Sequence, residues 1–129
     1  MPVTKSRLET VLQETSDNIA SMSQGKTRFD YTVNADSAMP TLPNSTAYYY
    51  NNGNFRGGEI YDHTIAAFNG LNTGVNLGNY DIIGVYFGIS HPSAAGVATV
   101  GGSKMWIYDY DSTFVFTHEA GHNYGLLHA

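Results

Sequence analysis

Cysteine is absent from the chain. That excludes a disulfide-stapled scaffold, thiolate metal sites and a cysteine nucleophile. Basic residues are scarce: six Lys and Arg, scattered without a cluster, stand against eleven Asp and Glu for a net charge of −5. A nucleic acid or other polyanion would meet no basic patch, so neither is expected as a partner. Long hydrophobic runs are also missing. The longest, residues 82–89, contains Gly84 and Gly88 and is far too short to span a bilayer. Residues 1–7 lead straight into an amphipathic pattern without a secretory h-region. The expectation is a soluble chain that carries no membrane anchor and no address. Proline is rare, with four in all, and Pro40 and Pro43 forbid regular structure around residues 39–43.

What is present suffices for one core. At 129 residues and 42% apolar, the chain has a single-domain length. Leu8, Val11, Leu12, Thr15, Ile19 and Met22 recur at helix spacing, with Ser6 and Glu9 as a capping box and Gly25 as the stop. Residues 27–34 alternate, placing Phe29, Tyr31 and Val33 on one face of an expected half-buried strand. Tyr48, Tyr49 and Tyr50 suit a short strand or a packed loop better than a sugar-stacking surface. A second helix is expected over residues 55–71, with Ile60, Thr64, Ala67, Phe68 and Leu71 inward. Residues 82–87 form a nearly unbroken apolar run, which predicts a central strand buried on both faces. Residues 96–101 are β-branched and bracketed by glycine, as an edge strand would be. Met105 to Tyr108 reads as another short strand. A turn containing Asp109 and Asp111 then precedes a last helix over residues 113–124, whose apolar Phe114, Val115, Ala120 and Tyr124 are its expected buried face. This order implies an α+β domain with a mixed sheet covered by helices.

The chemistry is concentrated at the end. Three of the five histidines fall within residues 118–128, in the pattern His118, Glu119, two residues, His122, two residues, Gly125, two residues, His128. On a helix, His118 and His122 project from one face about 40° apart, enough for two corners of a tetrahedral zinc site. Glu119 lies about 100° further round, placed to take a proton from metal-bound water. Gly125 can adopt positive φ, ending the helix and turning His128 back as the third ligand. Requiring Gly125 and His128 at fixed offsets lowers the chance occurrence of the shorter motif by roughly a thousandfold.

This pattern resembles the extended zinc signature of the metzincin metallopeptidases. Ala95 through the glycine-bracketed residues 96–101 also resemble the edge strand of the reprolysin (adamalysin-like) branch, with bacterial reprolysin-like or gametolysin-like enzymes as the nearest group. The likeness covers about residues 80–128; before that only the order of elements agrees. It implies a zinc endopeptidase with one catalytic Zn2+, held by His118, His122 and His128, and Glu119 as general base. Gly96, Val97, Ala98, Thr99 and Val100 would align an extended protein or peptide substrate antiparallel to themselves. The implied fold is α+β, a mixed, mostly parallel twisted sheet with an antiparallel edge strand, covered by helices, and the implied location is extracellular. Three departures stand out. Ala129 occupies the place where reprolysins usually carry Asp. Met22, Met39 and Met105 all precede the motif and cannot supply the family's methionine turn. The first helix also comes where the family has a strand. Together they suggest that residues 1–129 are the amino-terminal half of a catalytic domain, and a non-catalytic zinc-binding or interaction fragment is the alternative.

Other polar residues have plainer readings. His63 is expected to be a partly buried structural histidine, and His91, before Pro92, a loop residue. Asp109 and Asp111 offer too few oxygens for calcium. Asn123 is placed to hydrogen-bond near the edge strand.

Overall fold

The computed structural model describes residues 3–34, 39–51, 54–88, 94–109 and 112–124. Helix α1 spans Lys5–Met22. Its N-cap is Thr4, whose hydroxyl accepts the Arg7 N–H at 3.1 Å. The expected cap at Ser6 is therefore inside the helix, because a competent cap residue lies two positions earlier. The helix buries Val11, Thr15, Ser16 and Ile19. Thr15 goes inside at no polar cost, since its hydroxyl donates to the Val11 carbonyl at 2.8 Å. Gly25, at φ +80°, ends the helix by donating its N–H to the Ala20 carbonyl.

Residues 27–34 carry the expected alternation of burial but form no ladder. The Ser16 hydroxyl does the work of a strand partner. It accepts the Phe29 N–H at 3.0 Å and donates to the Phe29 carbonyl at 3.1 Å. Alternation reports which side chains are half-buried; it does not say what satisfies the backbone.

Helix α2, Thr46–Tyr49, runs into a small hairpin of β1, Tyr50–Asn51, and β2, Asn54–Phe55. Helix α3 covers Gly57–Gly70. A three-stranded sheet follows, built from β3 (Ile83–Phe87), β4 (Gly96–Ala98) and β5 (Lys104–Tyr108) in the order β3-β5-β4. The β3–β5 pair is parallel and the β4–β5 pair antiparallel. The sheet is thus mixed, with one pairing of each kind among the described strands.

Among the described strands the central one is β5, not the apolar run of β3. Its residues Met105, Trp106, Ile107 and Tyr108 are all buried. Trp106 and Tyr108 pack with Tyr49, Ile60, Tyr61 and Val85 on one face. Met105 and Ile107 pack with Val11 and Phe116 on the other. A run that is apolar on both sides reports helices over both faces, which β3 also has; the number of strand neighbours is a separate matter. On the α3 side, the Trp106 indole N–H donates to the Gly57 carbonyl at 2.7 Å.

Helix α4, Thr113–Asn123, lies on the opposite face beside α1. The Thr113 hydroxyl donates to Glu14 Oε2 at 2.7 Å, tying its start to α1. Of the apolar face expected, Ala120 is buried and Val115 packs partly buried against the core, but the other two residues are not. Phe116, Glu119, Ala120 and Asn123 are buried, whereas Phe114 is 77% exposed and Tyr124 47% exposed. Positions 116, 119, 120 and 123 recur at the helical repeat. Two of them are polar, and that hides the stripe from a hydropathy reading. No described helix is long and apolar enough to cross a membrane.

Candidate metal centre

Helix α4 brings His118 and His122 together as the four-residue spacing requires. Their Nε2 atoms are 3.1 Å apart. Two imidazole nitrogens on one tetrahedral zinc stand about 3.3 Å apart, from Zn–N bonds of about 2.05 Å. The pair is therefore already close to a ligand edge. Glu119 Oε1 is 4.0 Å from His118 Nε2, wider than that edge and suited to a group beside a bound ion. One ligand atom from each of His118, Glu119 and His122 falls within 4.8 Å of the others, so the three form a group able to hold a metal ion. Among the described residues no other His, Cys, Asp and Glu grouping of this kind occurs.

Burial within the group is graded. The His118 side chain is 44% exposed, while Glu119 retains 5% and His122 9% of their surface. An open groove of about 420 Å³ between the end of α1 and α4 reaches both histidines, with Met22 and Phe114 also along it. The exposed His118 and the buried His122 both line this groove, whereas Glu119 packs against Gly96 of the sheet.

That arrangement depends on β4. A Cβ on Gly96 would stand 2.8 Å from Glu119 Cγ and 3.1 Å from both Ile107 Cδ1 and the Trp106 carbonyl oxygen. Only glycine allows strand and helix to approach this closely. Among the described strands β4 pairs with β5 alone. The Tyr108 N–H donates to the Ala95 carbonyl and the Thr99 N–H to the Lys104 carbonyl. Residues 95, 97 and 99 therefore face β5. By antiparallel alternation, Gly96 and Ala98 turn their N–H and C=O groups to the open edge. Val97 and Val100 are 43% and 51% exposed. The edge-strand residues and the metal group are thus adjacent, through Gly96 and Glu119.

Asn123 meets its expectation. Its Nδ2 donates to the Thr99 and Lys104 carbonyls, each at 3.0 Å. The Gly101 N–H donates to the His122 carbonyl at 2.7 Å. Sequence reasoning missed that last contact and the Gly96–Glu119 approach. Glycine at the start of a short strand was the available signal for the second; nothing local marks the first. His63 is half-buried, and its Nδ1 lies 2.8 Å from the Tyr49 hydroxyl, a packing role apart from the metal group. Asp109 sits at φ 51° and accepts from the Tyr86 hydroxyl, as a turn residue. His91, Asp111, Gly125 and His128 lie outside the described residues.

Comparison of the chain with known protein families, curated proteins and solved structures finds no match.

Proposed function

We propose that the protein is a zinc-dependent endopeptidase of the metzincin type that hydrolyses extended polypeptide. One observation carries the reading: Glu119, which groups with His118 and His122, packs against Gly96 of β4, the edge strand among the described strands. His118 and His122 would hold the ion, with His128 as the third ligand by its place in the motif. A bound zinc supplies Lewis acidity, acidifying water and polarising a carbonyl. The chain's own residues do the rest. Gly96 and Ala98 pair with the substrate backbone and hold it extended. Glu119 accepts the proton of the attacking water and returns it to the leaving amine. Its burial against Gly96 restricts its rotamers and keeps the carboxylate beside the histidines. An enzyme of this type would act outside the cell.

The test pairs zinc content with cleavage of oxidised insulin B chain. Glu119→Gln should retain one zinc per chain and lose about 10²–10⁴-fold in kcat, the contribution general-base catalysis makes. Full activity in that variant would sink the mechanism. One zinc per wild-type chain without cleavage would favour the alternative, a zinc-binding domain that hydrolyses nothing.

A further inference from the structure

We propose that Asn123 is a positioning residue, which sets where the substrate-aligning edge of β4 lies relative to the His118 and His122 pair. The inference rests on the peptidase reading above. Asn123 follows His122 directly, so their side chains diverge by about 100° around α4. His122 thus faces the groove while Asn123 faces the β4–β5 connection.

The two Nδ2 bonds end on carbonyls on either side of that connection, Thr99 after β4 and Lys104 at the start of β5. Lys104 O also accepts the Thr99 N–H at 3.1 Å. The amide therefore grips the point where the hairpin closes. Gly101, at φ +67°, sends its N–H to the carbonyl of the ligand residue itself. Three hydrogen bonds thus join the turn of helix that bears His122 to the hairpin that bears the open edge. The Gly96–Glu119 contact sets the near end of β4, and Asn123 sets the far end.

Asn123 is 7% exposed, and its Oδ1 meets no hydrogen-bond partner among the described residues. A buried, unmet acceptor costs stability, which an apolar residue of the same shape would avoid while forfeiting both Nδ2 bonds. Asparagine is also a modest helix former. What the amide supplies, and leucine could not, is a fixed registration between helix and hairpin.

The decisive variant is Asn123→Leu, close in shape and lacking both donors. Zinc affinity and the affinity of the metal-free protein for insulin B chain should stay within about threefold, because the ligands and the β4 edge remain. With zinc, kcat should fall about 10²-fold, the usual consequence of misplacing a substrate by about 1 Å. Independently of activity, the Gly101 amide hydrogen of the metal-free protein should exchange at least about tenfold faster. If kcat is unchanged, or if zinc affinity falls in step with kcat, the positioning role is wrong. Should Asn123→Leu fail to fold, Asn123→Ala is measured in the same way. Wild-type protein that binds zinc and cleaves nothing would remove the peptidase reading and this inference together. Wild-type cleavage with an unaffected Asn123→Leu removes the inference alone.

Discussion

Gly96 and Glu119 share a space that admits only one side chain: a methyl group on Gly96 would come within 2.8 Å of Glu119 Cγ. The relationship links the first residue of the open strand to the proposed general base. The Trp106 carbonyl and Ile107 Cδ1 crowd the same space, each 3.1 Å from where that methyl group would stand.

Gly96→Ala should therefore be harmful twice over. Overpacking a site with backbone on one side costs about 1–3 kcal/mol, readable as a lower urea midpoint at unchanged slope. The displaced carboxylate should also lower kcat for insulin B chain with zinc content unchanged. A midpoint and activity equal to wild type would show that the approach is looser than described.

Metal removal separates the two histidines. With zinc at about 100 times its dissociation constant, binding should stabilise the fold by about 2.7 kcal/mol, and chelation should reverse this. His118→Ala should abolish that gain while leaving metal-free stability within about 0.5 kcal/mol, because His118 is exposed. His122→Ala should abolish it and also lower metal-free stability, because His122 is buried beside the hairpin contact. Thermal unfolding with and without chelator measures both. A zinc-dependent shift that survives His118→Ala would place the ion elsewhere.

Alkaline pH should loosen the other face of the sheet. Burial raises the pKa of Tyr61, reinforced by the nearby Asp62 carboxylate, and burial alone raises that of Tyr108. Each folded pKa therefore exceeds the unfolded value of about 10. Their stabilising contribution is complete below that value and is lost as pH rises through the folded pKa. Denaturant midpoints should fall in that window, and Tyr61→Phe and Tyr108→Phe should each flatten the fall. Phenolate absorbance should show both groups ionising above the usual tyrosine value. An unaltered pH profile in both variants would contradict the assignment.

Much of the local structure is legible along the chain. The spacing of Leu8, Val11, Leu12, Thr15 and Ile19 marks the buried side of α1, and the four residues from His118 to His122 suffice to put two imidazoles on one face. These are consequences of the helical repeat alone. The alternation of Phe29, Tyr31 and Val33 likewise reports their half-burial. Where expectation and structure part, a distant group decides. Ser16 takes the backbone of Phe29 that a neighbouring strand was expected to take. Glu119 and Asn123 lie inside α4's buried stripe because the β4–β5 hairpin receives them, while Phe114, more apolar than either, faces out.

The sequence by itself determined that His118 and His122 share one face of a helix, because spacing on a helix is a local property with a 3.6-residue repeat. It also marked residues 96–101 as strand-like, through glycine and β-branching. Only the tertiary structure decided that β5 is central, that Gly96 touches Glu119, and that Asn123 ties His122's helix to the hairpin. These contacts join residues about twenty positions apart along the chain. No local periodicity encodes such pairings. They follow from how two faces of one sheet are filled, which is settled only when the whole core packs.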